Sequence, residues 1–353
     1  MSKEKVLIIK LSAIGDVLMA TPAFAAIRRK YPSAHISILI GEWARPIVEN
    51  NPNIDEIISV DENIFWKKRI IELVRLFFRL YEQRFEVIYV MHWSNLFNFF
   101  AFLLGAKERI GFDRFGKSGF LTQKIPFDEG VRDIHIVERY LMLVEKKLDG
   151  INKEMEIYLT EDELSYGERV LEKYNISRNS KIIGFAPGGG ENPKSRMFIR
   201  RWPQEYFVVL GRKIISELNI PIVLFGSTLE KKLCDEIENK INVKSMVINL
   251  AGKTTVREVA AIARMCSLVV ANDSGLLHLA AAAGSNTISI FGPTAPWDKV
   301  PISSKNKHFF FYKNYKCSPC YKYGNFPNCE EIPCLRDIHP EEVFRKIEEQ
   351  LNV

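Results

Sequence analysis

The 353-residue sequence lacks any apolar run long enough to span a bilayer. The longest, Leu96 to Leu104, is interrupted by Asn98 and falls far short of the ~20 residues a spanning helix needs. No signal peptide stands at the start: a short charged segment, Met1 to Lys5, leads directly into strand-like Val6 to Lys10. The expectation is a cytoplasmic protein, at most peripheral on the inner face of the cytoplasmic membrane. Neither charge sign is in large excess, since 49 Lys and Arg stand against 43 Asp and Glu for a net +6. That excludes nucleic acid as the expected partner, while suiting an anionic substrate or an anionic membrane surface. Cysteine is scarce at six residues, as in a reducing compartment. Low-complexity tracts and short-period repeats are absent. The first strand is not followed by a Gly-x-Gly-x-x-Gly fingerprint, which counts against dinucleotide binding there.

What is there is a globular composition, 47% hydrophobic and 26% charged, on a chain long enough for two domains. The first half alternates strand-like runs (6–10, 36–40, 56–60, 87–91) with helical periodicity over 15–30, 42–49 and 65–83. The second half repeats the pattern. Strand-like runs cover 181–186, 220–225, 247–250, 268–271 and 287–291, and helical stretches cover 203–217, 229–241, 255–266 and 275–283. This βαβα order predicts an α/β fold, two doubly wound Rossmann-like units in tandem, with ligands at the carboxyl ends of parallel strands. The join falls in the charged segment 155–180. The expected domains are 1–165 and 166–335. The last helix, within 336–353, is a candidate to cross back to the first domain.

Three strand-to-helix junctions carry chemistry. Lys10-Leu11-Ser12-Ala13-Ile14-Gly15-Asp16 opens the first helix, with Gly15 allowing a tight turn. Asp16 reads either as a helix N-cap or dipole partner, or as a carboxylate at a strand end that takes a proton from a hydroxyl. The second junction is Ala186-Pro187-Gly188-Gly189-Gly190, followed by Lys194, Arg196, Arg200, Arg201 and Trp202-Pro203. Glycines let phosphate approach backbone N–H groups, and the arginines neutralise it; the plainer reading is a surface loop with solvated charges. The third runs from Val269 through Asn272-Asp273-Ser274-Gly275 into a helix carrying His278 one turn on. Free N–H groups and the helix dipole favour an anion there. Ser289-Ile290-Phe291-Gly292-Pro293-Thr294 closes the next strand beside it.

Two further features stand apart. The helical stretch 65–84 carries Lys67, Lys68, Arg69, Arg75, Arg79 and Arg84 beside Trp66, Ile70, Leu73, Val74, Phe77 and Tyr81. Such a helix either packs on a core with a solvated basic face or lies on an anionic membrane. Cys317, Cys320, Cys329 and Cys334 have a spacing compatible with a structural zinc or iron–sulfur cluster, and equally with free thiols or a disulfide.

The segments 8–18 with Thr21-Pro22-Ala23, Arg109-Ile110-Gly111-Phe112, Arg201-Trp202-Pro203, Asn272-Asp273-Ser274-Gly275 with His278-Leu279-Ala280-Ala281, and Phe291-Gly292-Pro293-Thr294 stand in one order along nearly the whole chain. The individual motifs are common and the ordered set is not. Together they resemble glycosyltransferase family 9, the lipopolysaccharide heptosyltransferases. The resemblance implies a GT-B fold, two Rossmann-like domains facing across a cleft, and an inverting mechanism with no required metal or other cofactor. It implies ADP-heptose as donor and a lipid-linked saccharide of the lipopolysaccharide core as acceptor. It implies Asp16 as general base, with Ser12, Gly15 and Arg109 on the acceptor side. On the donor side it implies Gly188, Arg200, Asp273, Ser274, Gly275 and His278, with Glu230 holding the adenosine ribose. The alternatives are a nucleotide-sugar epimerase of the same architecture, or a non-enzymatic binding module built on the cysteine cluster.

Overall fold

Short β-branched runs separated by amphipathic stretches produce two parallel sheets in the computed structural model, which describes residues 4–67, 69–177, 180–192, 195–321 and 328–353. Contacts divide the chain into Met1–Tyr158 and Leu159–Val353, slightly upstream of the boundary expected after residue 165.

The first unit comprises β1 (Lys5–Lys10), α1 (Ile14–Leu18), α2 (Thr21–Lys30), β2 (His35–Gly41), α3 (Arg45–Val48), β3 (Glu56–Val60), α4 (Asn63–Trp66) and α5 (Ile70–Tyr81). It continues with β4 (Val87–Val90), α6 (Asn95–Leu103), β5 (Glu108–Asp113), β6 (Gln123–Pro126), α7 (Glu129–Asp133) and α8 (Ile136–Met142). The strand order is β3-β2-β1-β4-β5-β6, every pairing parallel. Central β1 is covered on both faces, as parallel strands are, so Val6, Leu7, Ile8 and Ile9 are all fully buried. The helix expected over 15–30 is two helices. Pro22, in the first turn of α2, has no N–H to continue the ladder from α1, and Thr21 Oγ1 instead donates to Leu18 O at 2.7 Å.

The second unit comprises α9 (Glu161–Glu172), β7 (Ile183–Ala186), a short antiparallel pair β8 (Glu191–Asn192) and β9 (Ser195–Arg196), α10 (Gln204–Lys213), β10 (Ile222–Leu224), α11 (Lys231–Ile241) and β11 (Val247–Asn249). It continues with α12 (Val256–Met265), β12 (Leu268–Asn272), α13 (Gly275–Ala282), β13 (Thr287–Phe291), β14 (His308–Tyr312), α14 (Pro333–Arg336) and α15 (Pro340–Leu351). The order is β11-β10-β7-β12-β13-β14, again parallel. The segment read as a join holds α9, which a Thr160–Glu163 capping box starts and an Arg257–Glu163 ion pair ties to α12. Helix α15 was a candidate to return to the first domain. Its apolar face, Val343, Phe344 and Ile347, joins the core of the second unit beside α10, with the Trp202 indole N–H donating to Ile338 O at 2.9 Å just before it. No helix of the described residues is long and apolar enough to cross a membrane.

Candidate functional site

In the first unit the polar residues gather at the carboxyl end of β1. Lys10, the last residue of that strand, is fully buried and donates to Ser12 Oγ and to the Tyr140 hydroxyl of α8, each at 2.8 Å. Its ammonium also lies 4.6 Å from the Tyr140 ring centre, a cation–π contact. Burial lowers the Lys10 pKa to about 8, against the opposing pull of Asp16 and Glu62. Burial first, and then the charge of Asp16, hold the Tyr140 phenol well above its usual value. Asp16 is thus within electrostatic reach of both. It occupies the third position of α1, whose N-cap is Ala13 with no side-chain cap. Asp16 is half-buried, and its carboxylate makes no hydrogen bond or ion pair with any described residue.

In the second unit the loops after β7, β12 and β13 converge. Asn272, ending β12, is fully buried and pins the glycine loop, its amide donating to Pro187 O at 2.8 Å and Gly188 O at 3.2 Å. Gly188 leaves room for Glu230, since a Cβ there would lie 1.7 Å from Glu230 Oε1 and force that side chain to move. Glu230 turns its other oxygen to the Ser227 amide (2.9 Å) and hydroxyl (3.0 Å). Arg200 donates to the carboxylate and the carbonyl of Asp273, and Thr294 Oγ1 donates to the same carboxylate at 2.6 Å. Burial alone would raise the Asp273 pKa; Arg200, then Lys299, Thr294 and His278, outweigh it and hold the carboxyl below its usual range. Ser274 precedes α13 without capping it, and its buried Oγ has no hydrogen-bond partner among the described residues. The open N-terminus of α13, an unpartnered hydroxyl and a guanidinium therefore share one corner, a setting for an anion.

The cysteine segment braces this corner. The Cys320 amide donates to Pro293 O at 2.9 Å, the Ser318 hydroxyl donates to Gly292 O, and Cys334 Sγ lies 3.2 Å from where a Cβ on Gly292 would stand. Cys317, Cys320, Cys329 and Cys334 are free, with no disulfide among them. Burial raises Cys334 to about 11, and burial with the neighbouring Cys317 and Cys329 raises Cys320. Among the described residues no group of three or more His, Cys, Asp or Glu is placed to hold a metal ion.

The structure thus brings Arg200, Asp273, Ser274, Gly275 and His278 together, sets Gly188 against Glu230, and puts Ser12 on the loop after β1 with Gly15 and Asp16 in the first turn of α1. It does not bring Arg109 there. Arg109 is paired with Ile88, itself level with Leu7, three residues or about 10 Å below Lys10. Its guanidinium donates to the carbonyls of Phe120 and Ala106, which makes it a brace of β5. Among the other basic residues, Lys194 and Lys68 lie outside the described residues, and Arg201 stacks on Phe198 at 4.4 Å. The sequence motifs include Lys10, Asn272 and Thr294 without marking a role for any of them, and Tyr140 lies outside every motif. A lysine ending an otherwise apolar strand was a usable signal for the first; Tyr140, 130 residues away, gave none.

Two doubly wound units on one chain, each with its polar residues collected at strand carboxyl ends, are the architecture of the GT-B class. The family model described as glycosyltransferase family 9 (heptosyltransferase) matches residues 73–329. Lipopolysaccharide heptosyltransferase 2 of Escherichia coli (strain K12) is 28% identical over 313 residues, 85% of this chain and 86% of that protein. The structure of E. coli ADP-heptose lps heptosyltransferase II superposes with a TM-score of 0.78 at 25% identity, covering 98% of each chain. E. coli heptosyltransferase WaaC with ADP-2-deoxy-2-fluoro heptose shares the fold, with a TM-score of 0.70 at 20% identity over 98% of this chain and 99% of that one. The chain belongs to glycosyltransferase family 9 (heptosyltransferase) and is a glycosyltransferase. Neither the epimerase nor the binding-module alternative is favoured.

Proposed function

We propose that this enzyme transfers heptose, with inversion, from ADP-heptose to a hydroxyl of the lipopolysaccharide core, on the cytoplasmic side of the membrane. The observation that carries the reading is the corner formed by Arg200, Asp273, the unpartnered Ser274 hydroxyl and the open end of α13, in a chain of this family. Positive charge fixed there stabilises the negative charge that grows on the departing diphosphate. Arg200 and the α13 N-terminus supply it, so the reaction needs no metal. Glu230, beside Gly188, takes the ribose, and His278 the sugar or its phosphate. Asp16 acts as general base, removing the proton from the acceptor hydroxyl as that oxygen attacks the anomeric carbon and the bond to the diphosphate breaks. Ser12 and Gly15 shape the loop on which the acceptor sits. The lipid-linked acceptor makes the enzyme peripheral to the membrane.

Calorimetry with ADP, UDP and GDP tests the donor half. Preferential binding of ADP, lost in Arg200→Ala, is the expected result. Equal indifference to all three nucleotides would remove the donor assignment.

A further inference from the structure

The first unit exposes far more large apolar surface than its own folding requires. Of the seventeen large hydrophobic residues exposed among the described residues, ten lie between Trp66 and Leu103. They are not scattered. Successive helical residues turn by about 100°, so Ile70, Ile71, Val74, Phe78 and Tyr81 share one arc of α5. Their exposures run from 43% to 70%. The core-facing arc is a different one, with Leu76 and Leu80 buried and Leu73 and Phe77 packed on the core; Glu72, Arg75, Arg79 and Glu82 fill the rest. Helix α6 repeats the arrangement. Phe97, Phe100 and Ala101 are buried while Leu96, Phe99, Phe102 and Leu103 face outward, 38–47% exposed. The two helices touch through their core-facing rings, Phe77 and Phe100 being 6.3 Å apart, and Trp66 of α4 stands 6.2 Å from Phe97 of α6, so the outward arcs belong to elements packed on one another.

A patch of this kind marks a contact surface, and the charge around it selects the occupant. Residues 67–84 hold six Lys and Arg against two Glu. Lys67, Arg69, Arg75, Arg79 and Arg84 are exposed beside the apolar arc. Two copies of this face would bring cationic rims together, whereas an anionic bilayer takes the apolar and aromatic side chains at the headgroup boundary and the cations at the phosphates. We propose that the outward faces of α5 and α6, with Trp66 of α4, form the surface on which this protein docks to an anionic membrane. The inference rests on the proposed function only for the reason a bilayer is met, namely a lipid-linked acceptor; the surface itself is read from burial and charge.

Flotation of the full chain with phosphatidylglycerol-containing vesicles, and with phosphatidylcholine vesicles alone, tests it. The wild type should float with the anionic vesicles and stay behind with the neutral ones. Ile71→Gln with Phe78→Gln on α5, Phe99→Gln with Leu103→Gln on α6, and Arg75→Glu with Arg84→Glu should each lower the bound fraction by about tenfold or more. ADP affinity by calorimetry should stay at the wild-type value in each. Because the two apolar pairs lie on separate helices, one that loses ADP affinity through misfolding leaves the other as the readout. Wild-type protein that ignores anionic vesicles, variants that float as well as wild type, or a wild-type dimer split by the apolar variants would each overturn the assignment. Loss of ADP binding with flotation intact would instead strike the proposed function alone.

Discussion

Arg200 Nη1 donates to both the side-chain and the backbone oxygen of Asp273, each at 3.0 Å, so one guanidinium fixes the turn that leads into α13. The Asp273 side chain is only 3% exposed, and the Arg200 side chain 15%. A carboxylate so deeply placed depends on its partner, and in Arg200→Ala only the Thr294 hydrogen bond and the more distant charges of Lys299 and His278 would remain to it. Breaking a buried pair from one side costs about 3 kcal/mol or more. Arg200→Ala should therefore lose stability of that order in urea titration as well as ADP affinity. Arg200→Lys should recover part of both, since it keeps the charge and loses the planar fork. An unchanged urea midpoint in the alanine variant would mean that the pair does not support the turn.

Ser274 separates ligand contact from structure. Its Oγ neither caps α13 nor meets a described partner, so it contributes desolvation cost to the folded state without a compensating bond. Ser274→Ala should leave the urea midpoint unchanged or slightly higher. The same substitution should weaken ADP binding by about tenfold, the worth of one hydrogen bond to a charged group. A lower midpoint with intact ADP affinity would make the hydroxyl a structural group.

Lys10 sets a pH dependence. Its folded pKa is about 8, lowered from 10.5 by burial. Between those values the unfolded chain holds a proton that the folded chain has released, so stability rises with pH across the window. Below about 8 both states are protonated and the unfavourable contribution is constant. Relative to Lys10→Met, which cannot titrate, the wild type should gain up to about 3 kcal/mol between the two ends of the window. Urea titrations of the two proteins at both pH values measure it; a constant difference would place the Lys10 titration elsewhere.

The alternation of apolar runs and helical periodicity was enough to read the tandem α/β units, because a parallel strand buried on both faces leaves an unbroken apolar signature, as Val6 to Ile9 do. Not every strand was legible: the edge strands β3 and β11 were read, but β5, β6 and β14 were not, and Gln123–Pro126 and His308–Tyr312 are partly exposed strands at the opposite edges of their sheets. Asn272, Asp273 and Ser274 stood out for a related reason: they lie at a strand end, where polar side chains interrupt an apolar run. Arg109 shows a limit of the sequence, where a basic residue beside Ile-Gly-Phe looks the same whether it serves a ligand or, as its guanidinium does, the carbonyls of Ala106 and Phe120. Tyr140 was invisible, since only the folded chain carries it to Lys10.

Asp16 is the general base of the proposed mechanism. A carboxylate in the first turn of a helix ordinarily serves the free amides there; this one leaves the cap position to Ala13 and keeps both oxygens clear of every described donor. It stays within the field of Lys10, with no hydrogen bond from a described residue to compete for the acceptor proton. Asparagine preserves shape and burial but cannot accept that proton. Asp16→Asn should lower turnover with ADP-heptose and a core acceptor on the order of 10²–10⁴-fold. Its calorimetric affinity for ADP should match the wild type, because the donor corner belongs to other residues. Steady-state transfer measured beside ADP titration separates the two quantities, and turnover within a few-fold of wild type would transfer the role of base to another group.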